Sequence, residues 1–312
     1  MKILFTGGAG FIGSNVVDAL IDLGHEVIVV DNLSTGFKRN VNSGAKFYKL
    51  SIGDKSLSAI FERERPEVVN HHAAQIDVRK SGDDPIADAE DNILGSLNLI
   101  TNCVQFGVKR IIYASTGGAI YGDPEYIPAD ENHPVNPIAQ YGVSKHTVEH
   151  YLYLYQRLHG LDYVILRYAN VYGPRQNPFG EAGVVAIFAT QMLTDRQPTI
   201  FGPGDKTRDY VHVSDVTAAN ILALERGTNT ILNIGTGVET SDQEVFDTLA
   251  DVLDYDVEPH NADVRKGEVY RIALECSKAR QELGWSPVLS FKEGIAGTAE
   301  YYRELAKKSR TK

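Results

Sequence analysis

The fold class the sequence predicts is a doubly wound parallel α/β sheet of the Rossmann type, with a smaller, loop-rich α/β segment laid over it. Three observations predict it. Short β-branched runs alternate with helical patterns through the first half of the chain, a glycine cluster follows the first run directly, and the second run ends in an acid. The runs are Lys2–Thr6, Glu26–Asp31, Lys46–Leu50, Glu67–Ala73, Arg110–Ser115 and Tyr163–Arg167. Between the first two, Ile12, Val16, Leu20 and Leu23 recur at helical spacing, and Gly24 suits the helix stop. From Tyr168 the rhythm gives way to Gly173-Pro174, Asn177-Pro178 and Gly202-Pro203-Gly204. One late helix stands out, because Ser241 and Glu244 form a capping box ahead of Val245, Leu249, Val252 and Leu253.

Composition narrows the function classes. The chain has 312 residues, 43% of them apolar, which supplies a sizeable core and excludes a disordered chain. With 31 Lys+Arg against 41 Asp+Glu the net charge is −10, which argues against nucleic acid or an anionic membrane as partner. Cys103 and Cys276 form neither a disulfide framework nor a metal site, and they read as buried thiols of a reducing compartment. No apolar stretch reaches the roughly 20 residues of a membrane span. A cytoplasmic protein is expected.

The segment Thr6–Gly13 follows the first strand and opens the first helix. Gly8, Gly10 and Gly13 fit G-x-G-x-x-G, and Gly7, Gly10 and Gly13 fit G-x-x-G-x-x-G. Glycines there allow a tight turn and let backbone approach a pyrophosphate resting on the helix N-terminus. Asp31 ends the next strand, where a carboxylate accepts from both ribose hydroxyls and repels a 2′-phosphate. No Arg adjoins it, so NAD is favoured over NADP. A dinucleotide-binding domain over residues 1–167, rejoined by 207–232, is expected.

Tyr141 and Lys145 stand four apart at the start of a helical stretch, on one face. An ammonium beside a phenol favours the phenolate, and a bound NAD⁺ adds a second positive charge, so together they make Tyr141 a candidate general base. Ser115 and Thr116 close a candidate central strand, at the edge where open α/β sheets place their chemistry, and either could donate a hydroxyl to a substrate oxygen.

The motifs TGGAGFIG (Thr6–Gly13), DNLSTG (Asp31–Gly36), HHAA (His71–Ala74), STGGAIYG (Ser115–Gly122), YGVSK (Tyr141–Lys145), LRYANVYGPRQ (Leu166–Gln176), RDYVHVSDV (Arg208–Val216) and NIGTG (Asn233–Gly237) together resemble the extended short-chain dehydrogenase/reductase superfamily. Within it the likeness is greatest to the NAD-dependent UDP-sugar 4-epimerases, from residue 1 to about residue 295. The resemblance implies Tyr141 as acid/base and Lys145 as the group that sets its acidity. It implies Thr116 as the catalytic hydroxyl, counted from the strand end, with Ser115 second.

For the cofactor it implies Gly7, Gly10, Phe11, Ile12, Gly13, Asp31, Asn32, Leu33, Ser34, Thr35, Gly36, Ser51, Ile52, His72, Ala73, Ala74, Gln75, Asn92, Tyr168 and Ala169, beside Tyr141 and Lys145. Ser51 stands where the family carries an adenine-reading Asp. For a nucleotide-diphosphate sugar it implies Asn170, Gly183, Val184, Thr199, Ile200, Phe201, Arg208, Arg265 and Glu268, in a second domain over 168–206 and 233–312. No metal is implied.

The implied reaction is interconversion of UDP-hexose C4 epimers through a transient 4-keto sugar. Dehydratases and decarboxylases of the superfamily carry an acid near the catalytic hydroxyl, whereas Gly117-Gly118-Ala119 follow Thr116 here. A non-catalytic NAD-binding scaffold is the remaining alternative. The family also implies a homodimer built on two helices, here 88–106 and 145–159. The sugar series stays open, with Ile272 at the position that makes room for an N-acetyl group.

Overall fold

The structure is a computed structural model that describes residues 1–179, 183–264 and 269–310. β1 (Lys2–Thr6) leads through a tight turn into α1 (Phe11–Asp22), and β2 (Glu26–Asp31) and β3 (Lys46–Lys49) follow. Gly24, at φ +82°, returns its N–H to Ile21 and ends α1 in the left-handed conformation that glycine adopts freely. Next come α2 (Leu57–Glu64), β4 (Val68–His71), α3 (Val78–Asp83), α4 (Pro85–Ala89), a π turn at Glu90–Leu94, and α5 (Gly95–Gln105). The helix expected over 88–106 is therefore present, with helical backbone continuing from Pro85 to Gln105 through the π turn. β5 (Arg110–Thr116), α6 (Gly117–Ile120), α7 (Gln140–His159) and β6 (Asp162–Tyr168) complete the first half.

Six of these strands and a later one, β11 (Thr230–Ile234), make a seven-stranded sheet. Its order is β11-β6-β5-β4-β1-β2-β3, with every pair parallel. To reach β11 the chain runs through β7 (Asn170–Tyr172), α8 (Val184–Leu193), β8 (Thr199–Phe201), β9 (Thr207–Arg208), β10 (Tyr210–His212) and α9 (Val213–Leu222), and then forms β11 (Thr230–Ile234). β9 and β10 pair outside the sheet, so the stretch 207–232 rejoins it only through α9, which packs on α1, and through β11. β12 (Thr240–Ser241), α10 (Asp242–Leu253), β13 (His260–Ala262), α11 (Ser277–Leu283) and α12 (Phe291–Arg310) follow. Both bonds of the expected capping box at Ser241 and Glu244 are present.

The sheet is buried on both faces. Ile3, Phe5 and Val29 pack with α1 on one side, and Leu4, Ile28 and Val30 pack with α2 and α5 on the other. That explains why its strands read as unbroken apolar runs without alternation. A third core joins α8, α10 and α12. Cys103 is buried and Cys276 only half-buried, and both thiols are free. Ile272 is buried in the main core.

Candidate active site

A cleft of about 760 Å³ opens along the C-terminal edge of the sheet. It is walled by the turns after β1, β2 and β4 and by the ends of β5 and β6. β1 and β4 lie side by side, so the cleft spans the point where strand order reverses, the usual ligand crevice of such sheets.

The glycine turn is shaped for close approach. Gly7 has φ +74°, and a Cβ there would meet the Ala73 nitrogen at 2.7 Å; one on Gly13 would meet the Gly7 oxygen at 2.3 Å. Gly7, Gly10 and Gly13 line the cleft, while a Cβ on Gly8 would strike Val29. Of the two sequence patterns, the Gly7-Gly10-Gly13 spacing is the one facing the cleft. α1 starts without a side-chain cap or an acid in its first turn, which leaves its N-terminal N–H groups free for an anion.

Asp31 is nearly buried. One carboxylate oxygen accepts from the Ala9 N–H at 2.9 Å and the other from the Leu33 N–H at 2.7 Å. Asp31 lines the cleft, and each oxygen has accepting capacity beyond these bonds, as the expected ribose contact requires. Asp31→Ala should therefore weaken NAD by about 1.5–3 kcal/mol, measured by titration. Equal binding of NADP by the parent protein would remove this role.

Phe11, Ile12, Asn32–Gly36, Ser51, Ile52 and His72–Gln75 line the same cleft, as do Tyr141, Lys145 and Tyr168. Two expected cofactor residues do not. Ala169 is packed in the core. Asn92 is buried behind the wall, where its amide bonds the backbone N–H and C=O of Gln75 and the Asp88 carboxylate. It shapes the wall instead of touching the cleft.

Lys145 is 3% exposed, with its ammonium 4.3 Å from the centre of the Tyr113 ring. Burial pushes its pKa down to about 7, while the charges of Glu149 and Asp88 act to raise it. Burial pushes the Tyr141 phenol up, and the Asp88 charge adds to that. The acidity expected of Tyr141 is thus not built into the protein alone. It needs further positive charge in the cleft.

The two hydroxyls at the end of β5 differ. Ser115 donates to Glu149 at 2.6 Å, in a buried site. Thr116 lies opposite Tyr168 in the sheet register and is half-buried, and no hydrogen bond of its hydroxyl is found among the described residues. Ala114 and Ser115 belong to the cleft wall and Thr116 stands just beyond it.

The second region is less complete. Asn170, Val184, Thr199, Ile200, Phe201 and Arg208 lie outside the cleft wall, and Gly183 precedes α8 as its N-cap. Arg208 bonds the carbonyls of Thr207 and Tyr270 and makes no ion pair with Asp209. Asp209 instead accepts from Thr236, Gly237 and Leu274, which fixes the NIGTG turn. Arg265 and Glu268 lie outside the described residues.

Sequence reading missed the outer cleft wall at Arg175, Gln176, Asn177 and Phe179. It also missed Asp88, Tyr113 and Glu149 around Lys145, and Arg167, which bonds Glu149. Glu149, four residues after Lys145, was legible from spacing alone.

His71 and His72 are held neutral by burial and, secondarily, by the Lys145 charge; the His72 pKa falls to about 3. Their folded-state values are depressed, so the unfolded chain binds more protons below about pH 6.5. Stability is retained above that pH and is lost as pH falls, by up to about 2.7 kcal/mol per pH unit for the pair. Urea midpoints between about pH 6 and 5 should show that slope, and His72→Phe should halve it. An unchanged slope in His72→Phe would contradict the account.

These features define the class: an enzyme of the short-chain dehydrogenase/reductase type, with a dinucleotide cleft and a Tyr–Lys pair on its wall. The chain belongs to the NAD dependent epimerase/dehydratase family, whose model matches residues 3–235. A UDP-glucose 4-epimerase of Mycolicibacterium smegmatis is 43% identical over 309 residues, 97% of this chain and 99% of that one. The structure of a UDP-glucose 4-epimerase from Thermotoga maritima with UDP-glucose is 50% identical, with a TM-score of 0.97 over 98% of this chain and 99% of that one. A Thermus thermophilus UDP-glucose 4-epimerase complexed with NAD is 44% identical, with a TM-score of 0.92 over 97% and 99% of the two chains.

Proposed function

We propose that the protein interconverts the C4 epimers of a UDP-hexose, of the UDP-glucose/UDP-galactose type, while holding NAD. The observation that carries this reading is the end of β5. There Thr116 keeps a hydroxyl with no hydrogen bond among the described residues, directly after Ala114 and Ser115, which line the cleft together with Tyr141 and Lys145; no carboxylate follows it, and Glu149 is bonded to Ser115 and Arg167. Elimination or decarboxylation calls for a further acid or base at that position.

NAD fits the cleft. The turn that brings Gly7, Gly10 and Gly13 to the cleft wall, the uncapped start of α1 and the Asp31 carboxylate on the same wall match its pyrophosphate and ribose. When bound, its nicotinamide supplies reversible hydride storage. The protein supplies the proton chemistry. Tyr141 takes the proton of the sugar 4-hydroxyl and later returns it. Thr116 hydrogen-bonds the same oxygen and steadies charge that develops on it. Lys145 adds positive charge on the helix face that carries the phenol.

Asn170, Gly183, Val184, Thr199–Phe201, Arg208, Arg265 and Glu268 are read as the nucleotide-diphosphate side of the site. Arg208 is half-buried, and among the described residues its guanidinium bonds only backbone carbonyls, which leaves its charge available for a diphosphate.

A homodimer goes with this reading. Ile86 on α4 is 73% exposed, and Leu94 in the π turn and Val143, Tyr153, Leu154 and Leu158 on α7 are exposed as well. A face of that composition is suited to a second copy. The described residues include no helix long and apolar enough to cross a membrane. Two free thiols accord with a reducing cytoplasm.

Purified protein should carry NAD without its addition and convert UDP-galactose to UDP-glucose, read by separating the epimers across a panel of UDP-sugars. Protein that holds no dinucleotide, is not activated by added NAD and turns over no UDP-hexose would overturn the reading.

A further inference from the structure

We propose that Glu149 is a positioning residue for the reaction, clamping the ends of β5 and β6 to the helix that carries Tyr141 and Lys145. The proposal rests on the reading of function given above.

Tyr141, Lys145 and Glu149 follow one another at i, i+4 and i+8 on α7, and Glu149 is only 3% exposed. Its carboxylate is saturated. One oxygen accepts from Ser115 Oγ at 2.6 Å and Arg167 Nε at 3.0 Å, and the other from Arg167 Nη2 at 2.6 Å and His146 Nδ1 at 3.2 Å. Ser115 is the residue before Thr116, and Arg167 is the residue before Tyr168. The same guanidinium donates to the Tyr121 hydroxyl at 3.0 Å, which donates to Asn233 on β11 at 2.7 Å. One buried carboxylate therefore ties two strand ends and a helix, and through Arg167 a third strand, on the side of the sheet where all three reacting side chains are carried.

The clamp has an electrostatic side. Burial would push the Glu149 carboxyl up, but bonds from His146, Arg167 and Ser115 and the Arg167 charge outweigh it and hold it at about 2. The groups facing Lys145 are Tyr141 and Glu149 on its own helix, Tyr113 on β5, His71 and His72 at the end of β4, and Asp88 on α4. The histidines are neutral, so Glu149 and Asp88 are the charges that offset the desolvation of the ammonium. The groups facing Glu149 are Arg167, Ser115, His146, Tyr113 and Tyr163. Loss of its charge leaves Arg167 unopposed and moves Lys145 toward its neutral form.

The test measures kcat, KM for UDP-galactose and retained NAD across about pH 6–10 in the parent, in Glu149→Gln and in the double variant Glu149→Gln/Arg167→Met. Glu149→Gln keeps the shape and one acceptor oxygen. Its kcat should fall about 10–100-fold with KM and NAD content nearly unchanged, as expected when reacting groups are misaligned. The alkaline limb of its kcat profile should move down by about one pH unit, as Lys145 loses a charge partner.

The double variant removes both buried charges, so it serves if the single variant fails to fold; it too should lose kcat with KM nearly unchanged. A folded variant of either kind with kcat within about twofold of the parent would overturn the role of Glu149. So would a Glu149→Gln profile that scales onto the parent's without a shift. A parent without turnover overturns the proposed reaction itself, whereas an active parent with unaffected variants overturns only the clamp.

Discussion

Tyr141→Phe should fold like the parent protein and lose turnover by about 10²–10⁴-fold. The substitution keeps the ring and deletes one oxygen. The Tyr141 hydroxyl makes no hydrogen bond among the described residues, so its removal orphans no partner, and the melting temperature should stay within a few degrees. UDP-sugar binding should persist, because the lost contact matters when the proton moves. Epimerisation at the parent rate by correctly folded Tyr141→Phe would sink the mechanism while leaving the fold untouched.

The second large effect separates two neighbours. Thr116→Val preserves shape and removes a hydroxyl with no other engagement, so it should lower kcat by about 10²–10³-fold. Ser115→Ala removes a donor already committed to Glu149, and its loss should stay below about tenfold, arising through the clamp. The opposite pattern, a crippled Ser115→Ala beside a near-normal Thr116→Val, would make Ser115 the hydroxyl that meets the substrate. Both side chains can be compared in one assay, which controls for differences in protein quality.

Much of this site was legible in the chain. The order strand, glycine turn, helix, strand, acid placed Gly7, Gly10, Gly13 and Asp31 on the cleft without coordinates, because each needs only local geometry and one crossover. Tyr141 and Lys145 were legible because four residues make one helical turn. Less legible was Asn92, expected to touch cofactor and found bonding Gln75 and Asp88 from behind. A polar residue on a buried helix reads alike whether it faces a ligand or a neighbouring loop. The seventh strand was hidden for a related reason. TILNI at Thr230–Ile234 is short and follows a long excursion, and its place beside β6 depends on α9 packing against α1.

The sequence by itself determined the fold class, the glycine turn, the acid that ends β2 and the spacing of Tyr141 and Lys145. All of these follow from spacing along one chain and from what glycine, an acid or a helical repeat permits locally. Only the tertiary structure decided which glycine spacing faces the cleft and which of Ser115 and Thr116 keeps an uncommitted hydroxyl. It also decided that burial and the Asp88 charge oppose the acidity of Tyr141. These depend on desolvation and on partners 20 to 60 residues away, such as Ser115 with Glu149, which lie 34 apart, and Asp88 with Ser144, which lie 56 apart. Burial moves a lysine to about pH 7 and pushes a phenol upward through the absence of water, and that absence is created only when the strands and helices close around them.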